Sequence, residues 1–496
     1  MFHIRVVKTG SGVQAVQVIY YRNRKRIIYK HIGSARDIDE LTALKLIAQD
    51  LINNSSFQLA LFEETKFDNI LHLDKSEFLG VYFSFFYELV WGLFTQLGID
   101  KIKNQLLLDL VLIRMLEPAS KLHSIELIET YFGIKHRRQS FYSSAPKWLT
   151  LKMKIEAIVV AFVKQHYAFD FDLLFYDVTT LYFETFEEDE LRKNGFSKDN
   201  KSQQPQILVA LMVTKEGFPI SYEIFAGNTF EGHTILPVVK SFIRKNRVNH
   251  FTVVADAAMI SKSNVEELRK EKIHYIVGAR LSNLSNQLIE KIDNEIIRED
   301  GKSIRVETDN GYLVCSYSTT RYRKDKYEME KQIEKAKSII VNPGKYKKVK
   351  FTQGENHCFE LNEKLIAKTE KLLGIKGYYT DITLTEATNE TIIERYHELY
   401  KIEQAFRISK HDLQTRPIFH FKEEPIKLHL LICFMALVVS KHIELSTGVS
   451  IKRFVTECKK VTDARIRNEI TNKEIRIRSQ INNQILKYLH DLNLSH

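Results

Sequence analysis

LLFYDVTTLYFE, Leu173 to Glu184, places one carboxylate, Asp177, inside a run that otherwise reads as a buried strand. A buried carboxylate without a partner is strongly unfavourable, so such a residue is normally paired, hydrogen-bonded or bound to a cation. A second strand-like run, FTVVAD, ends on Asp256. Further on, Glu403 falls within a helical repeat that also holds Tyr396 and Lys410. Three acids on separate elements suggest a metal site, and the rest of the chain reads as scaffold, DNA grip and insert around it. Each acid also has an ordinary reading: a hydrogen-bonded strand residue, a helix cap, and an i,i+4 partner of Arg407.

With 496 residues the chain exceeds what one core usually supports, so about two to four domains are expected. A hydrophobic share of 44% and a charged share of 27% are those of a globular protein and exclude a largely disordered chain. Lys and Arg total 73 against 62 acids, a net charge of +11, which favours a polyanionic partner. Cys315, Cys358, Cys433 and Cys458 form no C-x-x-C pair, so neither a zinc site nor a disulfide framework is expected, and a reducing cytoplasm fits. The opening MFHIRVVKTGSG has no apolar signal core. The run Leu430 to Val439 is too short to span a bilayer, so no membrane partner is expected.

From the N-terminus, Ile4 to Ile32 reads as short strands with turns at Lys8 to Gly12 and Arg22 to Arg24. Arg22, Arg24, Lys25 and Arg26 concentrate charge at the second turn, able to meet DNA phosphate or to stay a solvated hairpin. A helix over Asp37 to Leu51, capped by Asp37 or Asp39, leads into a polar stretch from Asn53 to Phe67. Helical spacing recurs over Val81 to Phe132 and Leu151 to His166. There RMLEPASK, Arg114 to Lys121, with Lys135, Arg137 and Arg138, reads either as a helix-turn-helix-like DNA surface or as a plain bundle with solvated basic loops.

After Asp177, strands over Gln206 to Val213 and Ile220 to Phe225 precede a helix over His233 to Lys245 and a strand over Phe251 to Ala255. A helix capped by Ser261 and a strand over Tyr275 to Ala279 follow. This is the element order expected of a ribonuclease-H-like core. Between Leu281 and about Gly374 the pattern changes to a hairpin with an Asp309-Asn310-Gly311 turn, a Lys/Glu-rich helix and an Asn342-Pro343-Gly344 turn, which reads as an insert. The core then resumes with Tyr378 to Leu384 and one long helix from about Asn389 to His411.

YDVTTLYFE, VVADAAM and YHELYKIEQAFRISK closely resemble the DDE transposases of bacterial insertion sequences, of the superfamily whose last catalytic helix carries Y-x2-R-x3-E-x6-K. GFSKDNKSQQPQ, EGFPISYEIFAGNT and RPIFHF extend the resemblance. Tyr396, Glu403 and Lys410 fall on the signature, but Leu399 occupies its Arg position, with Arg407 the nearest candidate substitute on the same helix face. The resemblance implies an α/β multidomain protein whose ribonuclease-H-like core is interrupted by a mainly β insert before the acidic helix. It also implies two Mg²⁺ or Mn²⁺ ions on Asp177, Asp256 and Glu403, terminal inverted repeats and target DNA as partners, and a homodimer on DNA, associated with the bacterial nucleoid. The implied reaction is endonucleolytic cleavage followed by strand transfer, of cut-and-paste type. Tyr396 and Lys410 would hold the DNA end, while Lys198, Lys201 and Asn228 lie near the expected mouth of the site.

The expected boundaries are 1–52 (N-terminal hairpin and helix), 68–166 (helical DNA-binding domain), 167–280 and 375–442 (the two parts of the core), 281–374 (insert) and 443–496 (helical tail). A nuclease that cuts without joining, and a non-catalytic DNA-binding derivative, are the competing functions.

Overall fold

The structure is a computed structural model that describes the chain except residues 1, 11, 23, 56–75, 169–170, 197–202, 247, 249–250, 260, 342–348, 355–358, 469–473 and 495–496. It divides into two compact units: Met1–Leu89 with Glu129–Ile134 and Thr456–His490, and Val90–Ile128 with Lys135–Val455 and Asp491–His496.

In the smaller unit β1 (Phe2–Lys8), β2 (Gln14–Arg22) and β3 (Lys25–Ala35) form an antiparallel meander covered by α1 (Ile38–Ser55). Val16, Val18 and Ala35 pack on Leu44 and Ala48 of α1. The helix starts where Asp37 Oδ1 accepts the Glu40 amide (2.8 Å) and Glu40 Oε2 accepts the Arg36 amide (2.6 Å), a reciprocal cap that satisfies two otherwise orphaned donors. The hairpin expected at the N-terminus is therefore a three-stranded sheet.

A second sheet joins β4 (Ser76–Tyr82), which lies in the region read as helical, to β15 (Asp463–Asn468) and β16 (Glu474–Arg478). This corrects the all-helical tail. The period-two pattern of ARIRN and EIRIR is easily read as a basic helix, because arginine takes the positions where solvent would be marked by smaller polar residues. Buried Asp463 fixes the pairing by accepting from Arg478 Nε (2.8 Å) and Nη2 (3.0 Å).

The larger unit takes in most of α2 (Ser84–Leu97) and α4 (Lys121–Phe132), with α3 (Gln105–Leu116), α5 (Arg138–Leu149) and α6 (Lys152–His166). Almost every residue of α3 is buried, as expected of a helix apolar on all sides. RMLEPASK does not present its two cations as the solvent-facing, helix-turn-helix-like surface. Arg114 and Lys121 are each only 3% exposed and point into the protein, whereas Lys135, Arg137 and Arg138 are exposed.

The central sheet is built on β5 (Leu173–Tyr182), β6 (Gln206–Thr214), β7 (Pro219–Ala226), β8 (Thr252–Ala255) and β9 (His274–Ala279), with α7 (Ile235–Asn246) and α8 (Lys262–Lys270) as connections. In order β7-β6-β5-β8-β9, the first three strands are antiparallel and β5, β8 and β9 run parallel. Ser261 caps α8 by accepting the Asn264 amide (3.2 Å).

Between β9 and the acidic helix lie α9 (Asn286–Glu295), β10 (Ser303–Thr308), β11 (Gly311–Tyr317), α10 (Thr319–Val341), β12 (Thr352–Gln353), β13 (Glu360–Leu361), α11 (Glu363–Lys371) and β14 (Ile375–Thr380). The expected mainly β insert is not what forms. Its one long hairpin, turning through Asp309-Asn310 with Gly311 at φ +93°, adds to the central sheet through β14, which itself pairs with β9. The rest of the described insert is largely helical. A two-stranded hairpin cannot bury its apolar face alone, and here Val306, Leu313, Val314 and Cys315 find theirs in the shared sheet. The Asn342-Pro343-Gly344 turn and Cys358 lie outside the described residues.

The expected single acidic helix is broken into α12 (Asn389–His397), α13 (Tyr400–Arg407) and a π-helical turn, Ile408–Asp412. Then come α14 (Glu423–Thr447), α15 (Ile451–Cys458) and α16 (Asn483–Asp491). Among the described residues α14 is the one helix long and apolar enough to cross a membrane, yet 94% of its apolar window is buried inside the protein.

Candidate active site

Because β5 is covered on both faces, Leu173 to Tyr176 are all buried, and Asp177 follows them half-buried. Tyr176 stands opposite Ala255 across the parallel β5–β8 pair, so Asp177 and Asp256, each one residue further on, are neighbours on adjacent strands. Each carboxylate has one oxygen on a backbone amide: Val178 N–H donates to Asp177 Oδ1 (2.7 Å) and Ala257 N–H to Asp256 Oδ1 (2.7 Å).

Buried Tyr396, near the end of α12, directs its hydroxyl at Asp256 Oδ1 (3.4 Å). Burial first, then the negative charges of Asp256 and, more weakly, Asp177, push the phenol far above its ordinary pKa, so it remains a proton donor. Gly278 of β9 makes this fit possible. A Cβ there would lie 2.5 Å from the Tyr396 hydroxyl. Lys376 of β14 sits 4.7 Å from the centre of the Tyr396 ring. Its pKa is lowered by burial and by Arg321, and held up by the charges of Asp256 and Glu403. Neither Lys376 nor Gly278 was singled out from sequence. The available signal for Lys376 was the one used for Asp177, a lone charge in a strand of otherwise buried residues.

Glu403 is exposed in the first turn of α13, which packs against β5 and β6. Lys410, in the π-helical turn, donates to Thr179 Oγ1, and Thr179 shares a strand face with Asp177 two residues away. Arg407 ends α13 in solvent, while Leu399 is buried at the break between α12 and α13, a place that suits a leucine better than an arginine. Among the described residues no three His, Cys, Asp or Glu side chains stand close enough together to hold a metal ion. Asp177 and Asp256, following paired residues of adjacent strands, offer the hard oxygen donors that a divalent cation requires.

Residues 169–439, more than half of the chain and including all three acids, match the transposase DDE domain family. The chain belongs to that family. No curated protein matches it. Among solved structures it is similar to one described as the cryo-EM structure of a piggyBac transposase synaptic complex with hairpin DNA, at 13% identity and a TM-score of 0.38. That likeness covers 68% of this chain and 62% of the other, so the chain spans under two thirds of that protein's length.

Within the DDE domain, the other residues named from sequence lie away from the acids or outside the described residues. Asn228 is exposed in the turn after β7, whose last residue, Ala226, pairs with Ile207. Ile207 is four positions along β6 from Leu211, the partner of Asp177, which separates Asn228 from the acid by about 13 Å along the sheet. Lys198 and Lys201 lie outside the described residues. The start of their loop does pack on the Asn228 turn, since Gln206 Nε2 donates to the carbonyls of both Phe196 (3.2 Å) and Gly227 (2.9 Å). In the smaller unit Arg22, Arg24, Lys25 and Arg26 are all exposed at the tip of the β2–β3 hairpin, beside exposed Tyr21, Ile28 and Tyr29.

The Gly278 contact carries a test. Gly278→Ala puts a methyl group where the Tyr396 hydroxyl lies, and is expected to slow single-turnover DNA cleavage about tenfold to a hundredfold by releasing Asp256. An unchanged rate would show that the tyrosine does not position that carboxylate.

Proposed function

We propose that this chain is a cut-and-paste transposase with a ribonuclease-H-like catalytic core, acting as a homodimer on the terminal inverted repeats of a mobile element. The observation that carries the reading is that Asp177 and Asp256 each directly follow the last pair of the parallel β5–β8 ladder, Tyr176 with Ala255, within the family-matched region. The strand order β7-β6-β5-β8-β9, an antiparallel meander followed by two parallel strands, supports the core assignment. In the first step water adds to a phosphodiester at the element end and the 3′-oxygen leaves as a free hydroxyl. That hydroxyl then attacks a target phosphodiester, displacing its 3′-oxygen in turn.

Mg²⁺ or Mn²⁺ would be held by Asp177 and Asp256, with Glu403 as the third acid. When bound, a pair of such ions activates the nucleophile and stabilises the leaving oxygen. The protein's own groups orient the reactants. The Tyr396 hydroxyl holds Asp256, Lys376 balances the carboxylates, and Lys410, fixed on the strand face of Asp177, meets a phosphate of the DNA end as a point charge.

Candidate inverted repeats from the DNA flanking the coding region, offered with Mg²⁺ and target DNA, test the reading. Cleaved and joined products are expected. Nicks without joining would indicate a nuclease, and binding without either would indicate a non-catalytic derivative.

The basic hairpin is expected to contribute affinity for the ends. Neutralising Arg22, Arg24, Lys25 and Arg26 should flatten the dependence of log K on log salt by about one unit per lost phosphate contact. A slope equal to that of the unaltered chain would leave the hairpin a solvated surface.

A further inference from the structure

Two stretches singled out for other reasons, RMLEPASK (Arg114 to Lys121) and RPIFHF (Arg416 to Phe421), meet in one cavity of the larger unit. Its volume is about 470 Å³, and Arg114, Ser120, Lys121, Gln414, His420 and His429 are among its lining residues. Arg114 Nη2 donates to the Ala119 carbonyl (2.7 Å), but its buried Nε–H has no hydrogen-bond partner among the described residues. Lys121 Nζ lies 3.1 Å from His429 Nδ1, and His429 Nε2 lies 2.9 Å from the Thr415 carbonyl. Those roles require a neutral ring that carries its proton on Nε2 and accepts from the lysine at Nδ1. His420 is neutral too, its pKa held down to about 4 by burial and by Lys121 and Arg114.

The cavity is thus rich in donors and poor in negative charge. Burial is the main influence on both Arg114 and Lys121, and the Arg114 charge adds to it at Lys121; no carboxylate acts on either, although His123 of the cavity wall lies 3.2 Å from Glu126. A buried lysine can shed its proton, but a guanidinium cannot, so at least one fixed positive charge is buried without a carboxylate partner among the described residues. Burying such a charge is strongly unfavourable unless an anion offsets it. The unpartnered N–H of the arginine fork, the ammonium, the Ser120 hydroxyl and the imidazole N–H of His420 offer donors from several directions. That set suits the several oxygens of a tetrahedral phosphoryl group better than a planar carboxylate.

We propose that this cavity binds a phosphoryl anion, either free phosphate or a phosphodiester of the DNA strand. The DNA source rests on the proposed function, and the free-phosphate source does not. The cavity wall also continues directly from the turn that carries Lys410. The Thr415 amide donates to the Ser409 carbonyl (2.9 Å), as does its hydroxyl (2.7 Å), so an anion held here would brace the segment that presents Lys410 to β5.

Thermal unfolding and equilibrium dialysis of the full chain would be measured with inorganic phosphate, with pyrophosphate and with a DNA duplex, against chloride at constant ionic strength. Phosphate at about 100 times its Kd is expected to raise Tm by about 3 °C. Lys121→Met and His420→Ala should each weaken phosphate binding at least about tenfold. His420→Ala leaves both buried cations in place, so it reports even if Lys121→Met fails to fold. If phosphate and pyrophosphate have no effect but duplex affinity falls about tenfold in His420→Ala, the occupant is a DNA phosphate. The proposal is overturned if every probe acts equally on the unaltered chain and the variants, or if none acts at all. Absence of duplex binding alone would sink the proposed function and leave the phosphate arm to decide this one.

Discussion

Asp177→Asn and Asp256→Asn are each expected to slow DNA cleavage by about 10³-fold or more while leaving affinity for the element ends within about threefold. The two side chains sit next to each other because β5 and β8 run parallel in register, Tyr176 opposite Ala255. An amide in either place keeps the shape and the hydrogen bond to the neighbouring backbone N–H, so folding should be spared. What it removes is half of the negative charge at the point where the strands deliver it. Residues that act as a unit are not additive, so the double variant should be barely slower than either single one. Glu403→Gln is the informative companion, because that carboxylate comes from a helix, α13, and not from the two adjacent strands. A comparable loss would mean that α13 brings Glu403 in when DNA binds. Cleavage at the unaltered rate by Glu403→Gln would remove it from the active site, and the same outcome for either aspartate variant would remove that residue.

Glu156→Ala is expected to destabilise the larger unit by about 3–5 kcal/mol, the usual effect of taking one partner from a buried charge cluster. Glu156 is 4% exposed on α6 and works in four directions. Its Oε1 accepts from the Ser221 hydroxyl (3.0 Å) and the Tyr222 amide (3.3 Å) of β7 and lies 3.1 Å from Lys152 Nζ, while Oε2 accepts from Lys245 at the end of α7 (3.3 Å). One carboxylate therefore ties a helix, a strand and a second helix, and its loss leaves a buried amide and hydroxyl without their acceptor. The midpoint of denaturant unfolding measures the effect, and Glu156→Gln, which keeps an acceptor, should lose markedly less. A shift below about 1 kcal/mol for Glu156→Ala would show that water takes over those donors.

The central strands were legible because burial on both faces writes itself as continuous apolar sequence, as in Leu173 to Tyr176 and Gln206 to Val213. Caps were legible for a similar local reason, Asp37 before α1 and Ser261 before α8. Pairing was not. Nothing local says that β4 would take β15 as its neighbour some 380 residues away, or that the hairpin of the insert would join the central sheet. The basic residues of RMLEPASK misled because charge is read as exposure, and two buried cations look no different in sequence from two solvated ones. The acidic helix was read as continuous because its apolar stripe survives the break at Leu399, whose buried side chain serves both halves. Of the candidate site, the two aspartates and Lys410 come to the middle of β5, at Asp177 and Thr179. Tyr396 reaches Asp256 only because of a glycine on the neighbouring strand β9, a tertiary condition with no local sign.

The way the insert is attached bears on how freely it could be exchanged. A module that hangs from its host by two crossing points can be cut out or swapped during evolution with little damage to what remains. Here β14 is hydrogen-bonded on one side to β9 and on the other to β11, so the host sheet continues through the insert without a seam. Excising residues 281–374 would strip β11 from β14 and turn an interior strand, most of whose residues are buried, into a bare edge ready to recruit any extended chain it meets. Lys376, which lies over the Tyr396 ring, sits on that strand. Removing the insert from this chain would therefore call for a cap on that edge and a replacement for Lys376 at the same time.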